Sequence, residues 1–306
     1  MLNIDKLYES VKANGHVCVG LDTCADYVPP VERKKAHNDA QAVLAFNKAL
    51  IDATVDAAAC FKVQIAYYEE MGIEGLKAYS ETLKYIRNKG ALVIADIKRG
   101  DIADTAARYV KAHFSGDFEA DFVTISPYMG MDSVDPWLKE AQLHGKGAFI
   151  LMRTSNSGMR DFQYLEILDN NGQNVNSRRV YHAVGDKLSA LAQRNKGAYG
   201  YGMFGAVVGC TERDEAALIR NNYPNLFFLI PGYGAQGGGA KDAALLLREG
   251  NGGVVNASRS IITAWKAGNN EQADNNSAAA AARQAALTMR NEILEELSLN
   301  SCKLAL

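Results

Sequence analysis

The segment Leu92-Val93-Ile94-Ala95-Asp96-Ile97-Lys98-Arg99-Gly100-Asp101 decides how the rest of the chain is read. Its first half is a short apolar run of the kind that forms a parallel strand buried on both faces. Its second half carries charge where that strand ends. A strand covered on both sides has no reason to hold a carboxylate and an ammonium unless that end opens onto a site. Side chains alternate along a strand, so Asp96 and Lys98 share one face while Val93, Ala95 and Ile97 take the other, toward packed helices.

Similar runs recur at 16–22, 60–65, 122–126, 148–153, 205–209, 226–230 and 253–258. Between them apolar residues fall at helical spacing, as in Ala42, Phe46, Ala49 and Leu50, or Leu76, Tyr79, Leu83 and Ile86. Eight strand-helix units predict an α/β fold, a closed (β/α)8 TIM barrel. An open doubly wound sheet is disfavoured because no GxGxxG turn follows the first run. The 306 residues exceed a barrel of about 250. The excess lies in the loop 23–38 after strand one, the polar segment 158–176 after strand five, and a C-terminal tail. The expectation is one barrel domain over 1–306, with those two loops as lids on the active-site face. In the tail, Asn275, Asn276 and Ser277 offer a cap for an outer helix that opens with the alanines 278–282.

With 48% hydrophobic and 22% charged residues the composition is that of a soluble globular protein. The 33 basic and 35 acidic side chains leave a charge of -2, so no general basic field gathers nucleic acid or a membrane surface. Any bound anion needs a local site. The cysteines Cys18, Cys24, Cys60, Cys210 and Cys302 are odd in number and form no CxxC pair, which points away from a disulfide framework or a zinc site and toward a reducing cytoplasm. Asp5, Lys6, Glu9 and Lys12 rule out a secretory signal at the start, and no apolar run is long enough to span a bilayer. His16, His37, His113, His144 and His182 lack metal-binding spacing, and the nucleophile elbow GxSxG is absent.

The other strand ends are polar too. In Phe61-Lys62-Val63-Gln64, Lys62 and Gln64 share a face, and a lysine in so apolar a run needs a partner, for which Asp96 on the next strand is the obvious choice. Asp22 adds a carboxylate after strand one, and Asp101 can converge on the Lys98 ammonium from the loop. An ammonium among carboxylates keeps its proton and serves as an acid. The bland alternatives are a structural ion pair capping the barrel and a snorkelling Lys62. Across the barrel, Pro231-Gly232-Tyr233-Gly234-Ala235-Gln236-Gly237-Gly238-Gly239 exposes backbone N–H groups, and Arg259 follows strand eight, which together suit the customary phosphate site of this fold. Arg153-Thr154-Ser155-Asn156 offers hydroxyl and amide groups for the edge of a planar polar ring.

Taken together, the segments Gly20-Leu21-Asp22, Phe61-Lys62-Val63-Gln64, the DxKxxD core from Asp96 to Asp101 with Ile102 and Thr105, Thr154-Ser155-Asn156, the loop from Pro231 to Gly238, and Ser258-Arg259 resemble the orotidine 5′-phosphate decarboxylase family in its longer bacterial (type 2) form. The resemblance implies decarboxylation of orotidine 5′-monophosphate to uridine 5′-monophosphate and CO2, the last step of de novo pyrimidine synthesis, with no cofactor or metal. It implies that Lys98 protonates C6, that Asp96 sits beside the departing carboxylate, that Lys62 and Asp22 contact ribose hydroxyls, that Ser155 reads the pyrimidine, that the loop opening at Pro231 lines the substrate, and that Gln236 and Arg259 hold the phosphate. It further implies a homodimer in which Asp101, Ile102 and Thr105 reach into the partner's site. The rivals are a magnesium-dependent sugar-phosphate decarboxylase or aldolase of the same barrel group, which would carry a glutamate where this chain has Lys62, and a non-catalytic nucleotide-phosphate sensor, which would not need the four charges together.

Overall fold

A computed structural model describes residues 1–170, 175–234, 236–268 and 272–304. Eight parallel strands close into a barrel. They are β1 (Val17–Gly20), β2 (Cys60–Gln64), β3 (Val93–Arg99), β4 (Phe122–Ile125), β5 (Gly147–Arg153), β8 (Phe204–Val208), β9 (Phe228–Ile230) and β10 (Gly253–Ala257), while β6 (Glu166–Asn170) and β7 (Val175–Arg179) stand outside as an antiparallel pair. Each barrel strand lies within two residues of its expected run, and β1 pairs with both β2 and β10 to close the ring. Because helices cover the outside and side chains fill the inside, the barrel strands are buried except toward their carboxyl ends, at residues such as Gln64, Lys98 and Arg99.

The filling is layered. One apolar side chain from each barrel strand, among them Ile94, Phe122, Phe149 and Val254, forms a cluster inside the barrel. The helix Asn3–Asn14 seals that layer by adding Ile4, Leu7 and Val11. Nothing in the strand rhythm announced this helix, because its polar residues interrupt the apolar pattern. The opposite strand faces, including Val93, Ala95 and Ile97 of β3, join the larger core shared with the helices. The alternation expected for β3 is therefore present.

The extra length carries more regular structure than the sequence pattern shows. The polar segment after β5 forms a 3₁₀ turn at Ser157–Asp161 and then the β6–β7 pair; residues 171–174 lie outside the described residues. Its apolar residues Ile167 and Leu168 are adjacent and so fall on opposite faces, which leaves no apolar alternation to mark the pair, and Ser177 Oγ donates to Glu166 at 2.7 Å across it. The loop 23–38 is folded as well, with a 3₁₀ turn at Ala25–Tyr27 and a helix at Pro30–Lys35, and Arg33 pairs with Asp26 at 2.7 Å and Asp39 at 2.9 Å. The tail is the expected outer helix, Asn275–Leu304, but its cap is Asp274, which accepts the Ser277 N–H at 2.8 Å. Asn275, Asn276 and Ser277 form its first turn, because the Asp274 carboxylate already satisfies the free N–H there.

Cys18, Cys24, Cys60 and Cys210 are free thiols, and the Cys302 side chain lies outside the description. Among the described residues no helix is long and apolar enough to cross a membrane. The interior layer should matter most to stability. Phe149 is fully buried with its ring 5.4 Å from that of Phe122, so Phe149→Ala is expected to cost about 3–5 kcal/mol, read as a lowered urea midpoint with unchanged slope.

Candidate active site

Above the apolar layer the inward positions of β1 to β4 become polar. Register places Gly20 opposite Lys62 and Gln64 opposite Asp96. Lys62 Nζ lies 3.0 Å from Asp22 Oδ1 and 2.9 Å from Asp96 Oδ2. Lys98 Nζ lies 2.7 Å from Asp96 Oδ1. The order Asp22, Lys62, Asp96, Lys98 thus alternates in sign across the barrel mouth. Gln64 Nε2 donates to Asp96 Oδ2 at 2.9 Å and Thr124 Oγ1 to Asp96 Oδ1 at 2.8 Å, so both carboxylate oxygens accept two hydrogen bonds.

Burial divides the two lysines. Lys62 and Asp96 are each only 5% exposed, whereas the Lys98 side chain is 48% exposed to the cavity. Desolvation alone would push the Asp96 carboxyl up, but Lys62 and Lys98 outweigh it and hold it well below the usual carboxylate range. Desolvation would likewise lower Lys62, but Asp22 and Asp96 raise it above its ordinary value. Both groups of this pair are charged at neutral pH.

The charges form one wall of a cavity of about 480 Å³. Asp22, Lys62, Asp96, Lys98, Ser155, Pro231 and Gln236 of the sequence-derived set all line it, together with Thr124, Thr154, Asn156 and Asn256. A larger groove of about 620 Å³, between the helices Ala103–Phe114 and Asp135–His144, contains none of that set. On the ring side, Thr154 Oγ1 donates to Asn156 Oδ1 at 2.7 Å, and Ser155 packs against Gly209, where a Cβ would come within 2.8 Å. Gly20 is equally constrained, since a Cβ there would meet Ser258 Oγ at 2.0 Å. Its absence lets Ser258 reach Asp22 Oδ2 at 2.8 Å.

Four residues of the set lie elsewhere. Asp101 accepts the Ile102 N–H at 2.9 Å and, among the described residues, does not pair with the Lys98 ammonium as expected. The chain turns outward after Arg99, leaving Ile102 and Thr105 exposed at the start of the helix Ala103–Phe114. Arg259 is exposed at the start of the helix Arg259–Ile262, outside the cavity wall, close enough to Tyr27 and Tyr67 to act on them electrostatically. The glycine loop also differs from expectation: the N–H groups of Gly234, Gly237 and Gly238 bond within the loop, to Gly238, Gly234 and Gly232 respectively. Ala235 of that loop lies outside the described residues. Arg153 is fully buried and donates to the Gly209 carbonyl, so it braces two strand ends and lies off the cavity wall. Thr124 was not among the sequence candidates; the signal was a hydroxyl inside the buried run 122–126, a weak one because threonine is common in strands.

The model of the orotidine 5′-phosphate decarboxylase / HUMPS family matches residues 15–273. The chain belongs to this family. It is 53% identical over 293 residues to the orotidine 5′-phosphate decarboxylase of Clostridium perfringens strain SM101, covering 96% of this chain and 98% of the relative. The protein of that name from Clostridium tetani is 50% identical over 295 residues, covering 96% and 99%. Among solved structures, Leishmania donovani OMP decarboxylase superposes with a TM-score of 0.73 at 32% identity, covering 97% of this chain and 99% of that one. The family match takes in every residue of the sequence-derived set.

Because Asp96 is one of two carboxylates on the buried Lys62, removing its charge leaves Lys62 held by Asp22 alone. Asp96→Asn is expected to cost about 1–3 kcal/mol of stability at neutral pH, less than a fully uncompensated buried charge would. The sign of the pH dependence follows from the two shifts. Asp96, depressed on folding, stabilises fully above its unfolded value and loses that contribution as pH falls through its folded one; Lys62, raised on folding, stabilises fully below its unfolded value and loses that contribution as pH rises through its folded one. The pair's contribution should therefore be flat between roughly pH 5 and pH 9 and decline outside, so the destabilisation by Asp96→Asn, measured by urea unfolding, should shrink toward strongly acid pH.

Proposed function

We infer that this chain catalyses the decarboxylation of orotidine 5′-monophosphate to uridine 5′-monophosphate and CO2 in pyrimidine biosynthesis, with Lys98 as the proton donor. The observation that carries the residue assignment is the alternating array of Asp22, Lys62, Asp96 and Lys98 on the wall of a cavity large enough for a nucleotide, in a chain of this family.

The C6–carboxylate bond breaks, its electron pair stays on C6, and CO2 departs. The Lys98 ammonium, the exposed member of the array, faces the developing carbanion and then gives C6 its proton, leaving a neutral amine that solvent reprotonates. Asp96 keeps that ammonium in place at 2.7 Å and lies beside the departing carboxylate. Lys62 and Asp22 are aligned for the ribose hydroxyls, Ser155 for the pyrimidine edge, and the loop that opens at Pro231 for the substrate's flank. Gln236 and Arg259 hold the phosphate; with three loop N–H groups engaged internally, these side chains carry more of that contact than the sequence suggested, and Arg259 must swing in from the surface. Phosphate binding far from C6 can then drive loop closure and be used for chemistry.

The reading takes the chain as one barrel domain over 1–306 acting in the cytoplasm as a homodimer. The exposure of Ile102, at 45%, and of Thr105, and the absence of an Asp101–Lys98 pair among the described residues, support an assembly in which Asp101, Ile102 and Thr105 complete the partner's site. The electron pair left on C6 is taken up by the Lys98 proton, and the family resemblance implies no cofactor or metal, so none is proposed. The magnesium-dependent reading is disfavoured because Lys62 would set an ammonium beside the cation.

Loss of ultraviolet absorbance on incubation with orotidine 5′-monophosphate is the direct test. Wild-type protein should consume it with and without exhaustive chelation, and no consumption at all would overturn the reading. Lys98→Ala should lose turnover by orders of magnitude while still binding uridine 5′-monophosphate; near-normal turnover would remove Lys98 from the donor role. Mixing inactive Lys98→Ala and Asp101→Ala chains should restore part of the activity, since one intact site then forms per mixed dimer. Proven subunit exchange with no recovery would exclude shared sites.

A further inference from the structure

The point where β3 delivers its charges is irregular. Ala95 is paired with Val123 and Arg99 with Ile125, so β3 advances four residues while β4 advances two. Asp96, Ile97 and Lys98 therefore oppose a single residue of β4, Thr124. An ordinary bulge carries one extra residue; this one carries two, and it orphans backbone donors in the middle of a buried ladder.

Thr124 supplies what the ladder lacks. Its Oγ1 accepts the N–H of Ile97 at 3.0 Å and the N–H of Lys98 at 2.9 Å, in place of a β4 carbonyl. A hydroxyl has two acceptor lone pairs and one proton. With both lone pairs occupied by N–H groups, the proton has one acceptor left within reach, Asp96 Oδ1 at 2.8 Å. That is the oxygen that also accepts from Lys98 Nζ at 2.7 Å. The side chain is 1% exposed, so water does not compete for these contacts.

The backbone at Lys98 needs this support. Its φ is +44°, a left-handed conformation uncommon for a residue with a side chain and held only where the surroundings impose it. The turn at Lys98 sets where its long side chain departs from the strand, and the Asp96 contact sets where the ammonium ends. One hydroxyl fixes both.

We propose that Thr124 is a positioning residue for the decarboxylation, which acts through Lys98 and Asp96 by satisfying the two-residue bulge of β3 and orienting the Asp96 carboxylate. It fixes the proton donor's backbone and its counterion together, and has no direct part in binding the ring or the phosphate. The inference rests on the reading of Lys98 as the acid.

The test compares Thr124→Val, which keeps the shape and removes the hydroxyl, with Thr124→Ser, which keeps the hydroxyl. Wild type and Lys98→Ala serve as references, and orotidine 5′-monophosphate turnover and inhibition by uridine 5′-monophosphate are the readouts. Thr124→Val should lower kcat by about tenfold or more, with KM and the inhibition constant within about threefold of wild type, and Thr124→Ser should recover to within about threefold. Thr124→Val turning over at the wild-type rate would overturn the inference. So would equal loss of kcat and of uridine 5′-monophosphate affinity in both variants, which marks a structural role alone. If Thr124→Val does not fold, Thr124→Ala is measured against Thr124→Ser by the same split and decides in the same way. An active Lys98→Ala enzyme would instead sink the underlying reading of the acid, so the two failures are told apart.

Discussion

A carboxylate held almost without water, at Asp96, is the constraint around which the barrel mouth is organised. Four donors converge on its two oxygens, two of them ammoniums. Burying such a charge is tolerable only when it is paired and fully hydrogen-bonded, and this explains why the polar residues of β1 to β4 form one connected set. The set is asymmetric. Among the described residues Lys62 is enclosed and bound by two carboxylates, whereas Lys98 has one carboxylate and an open side toward the cavity. In the proposed mechanism the enclosed lysine keeps Asp96 ionised while the open one gives up its proton. The stability of the fold and the readiness of the site thus depend on the same contacts.

The layering of the barrel is what makes this affordable. Cys18, Cys60, Ile94 and Phe122 occupy the inward positions below, and Gly20, Lys62, Asp96 and Thr124 the inward positions two residues on. One step of the strand period carries β2 and β3 from dry packing to charge and β4 to a hydroxyl. The N-terminal helix covers the dry end with Ile4, Leu7 and Val11, and the charges line the cavity at the mouth. A preorganised array opposite a rigid floor can act on developing charge without first rearranging.

How much of this was legible follows from the same periodicity. The eight runs and the shared face of Asp96 and Lys98 were readable because a buried strand leaves an apolar trace that charge interrupts. The pairing of Lys62 with Asp96 was readable for the same reason: an ammonium in an apolar run needs a neighbour. That Asp101 does not meet Lys98 of its own chain among the described residues was not legible, because spacing along a chain says nothing about the direction of a turn, and a double bulge with φ +44° at Lys98 intervenes. Thr124 left only a weak trace because its importance comes from hydrogen bonds to backbone that a broken register leaves free. The β6–β7 pair was hidden by the lack of apolar alternation around Ile167 and Leu168, and the Asp274 cap by three other capping residues beside it.

The extra segments attach to one half of the site. Gln163, from the segment after β5, accepts the Thr154 N–H at 2.8 Å and donates to Thr154 Oγ1 at 2.9 Å, while Arg160 pairs with Glu212 at 2.8 Å and Tyr164 donates to Glu215 at 2.6 Å beyond β8. The loop after β1 is tied in turn to the region following Arg259, where Trp265 donates to the Tyr27 carbonyl at 3.1 Å and Lys266 to that of Asp26 at 2.7 Å. Among the described residues neither segment bonds to Asp96, Lys62 or Lys98, whose hydrogen-bond partners there come from the barrel strands and from Asp22 just beyond β1. Loops are the parts of a barrel that move and strands the parts that do not. The attachment pattern therefore separates two tasks: segments able to shift are coupled to the groups proposed to read the ring and the phosphate, and the groups proposed to move the proton are built into the rigid wall. Closure over a substrate can then proceed without disturbing the spacing on which the charge array depends.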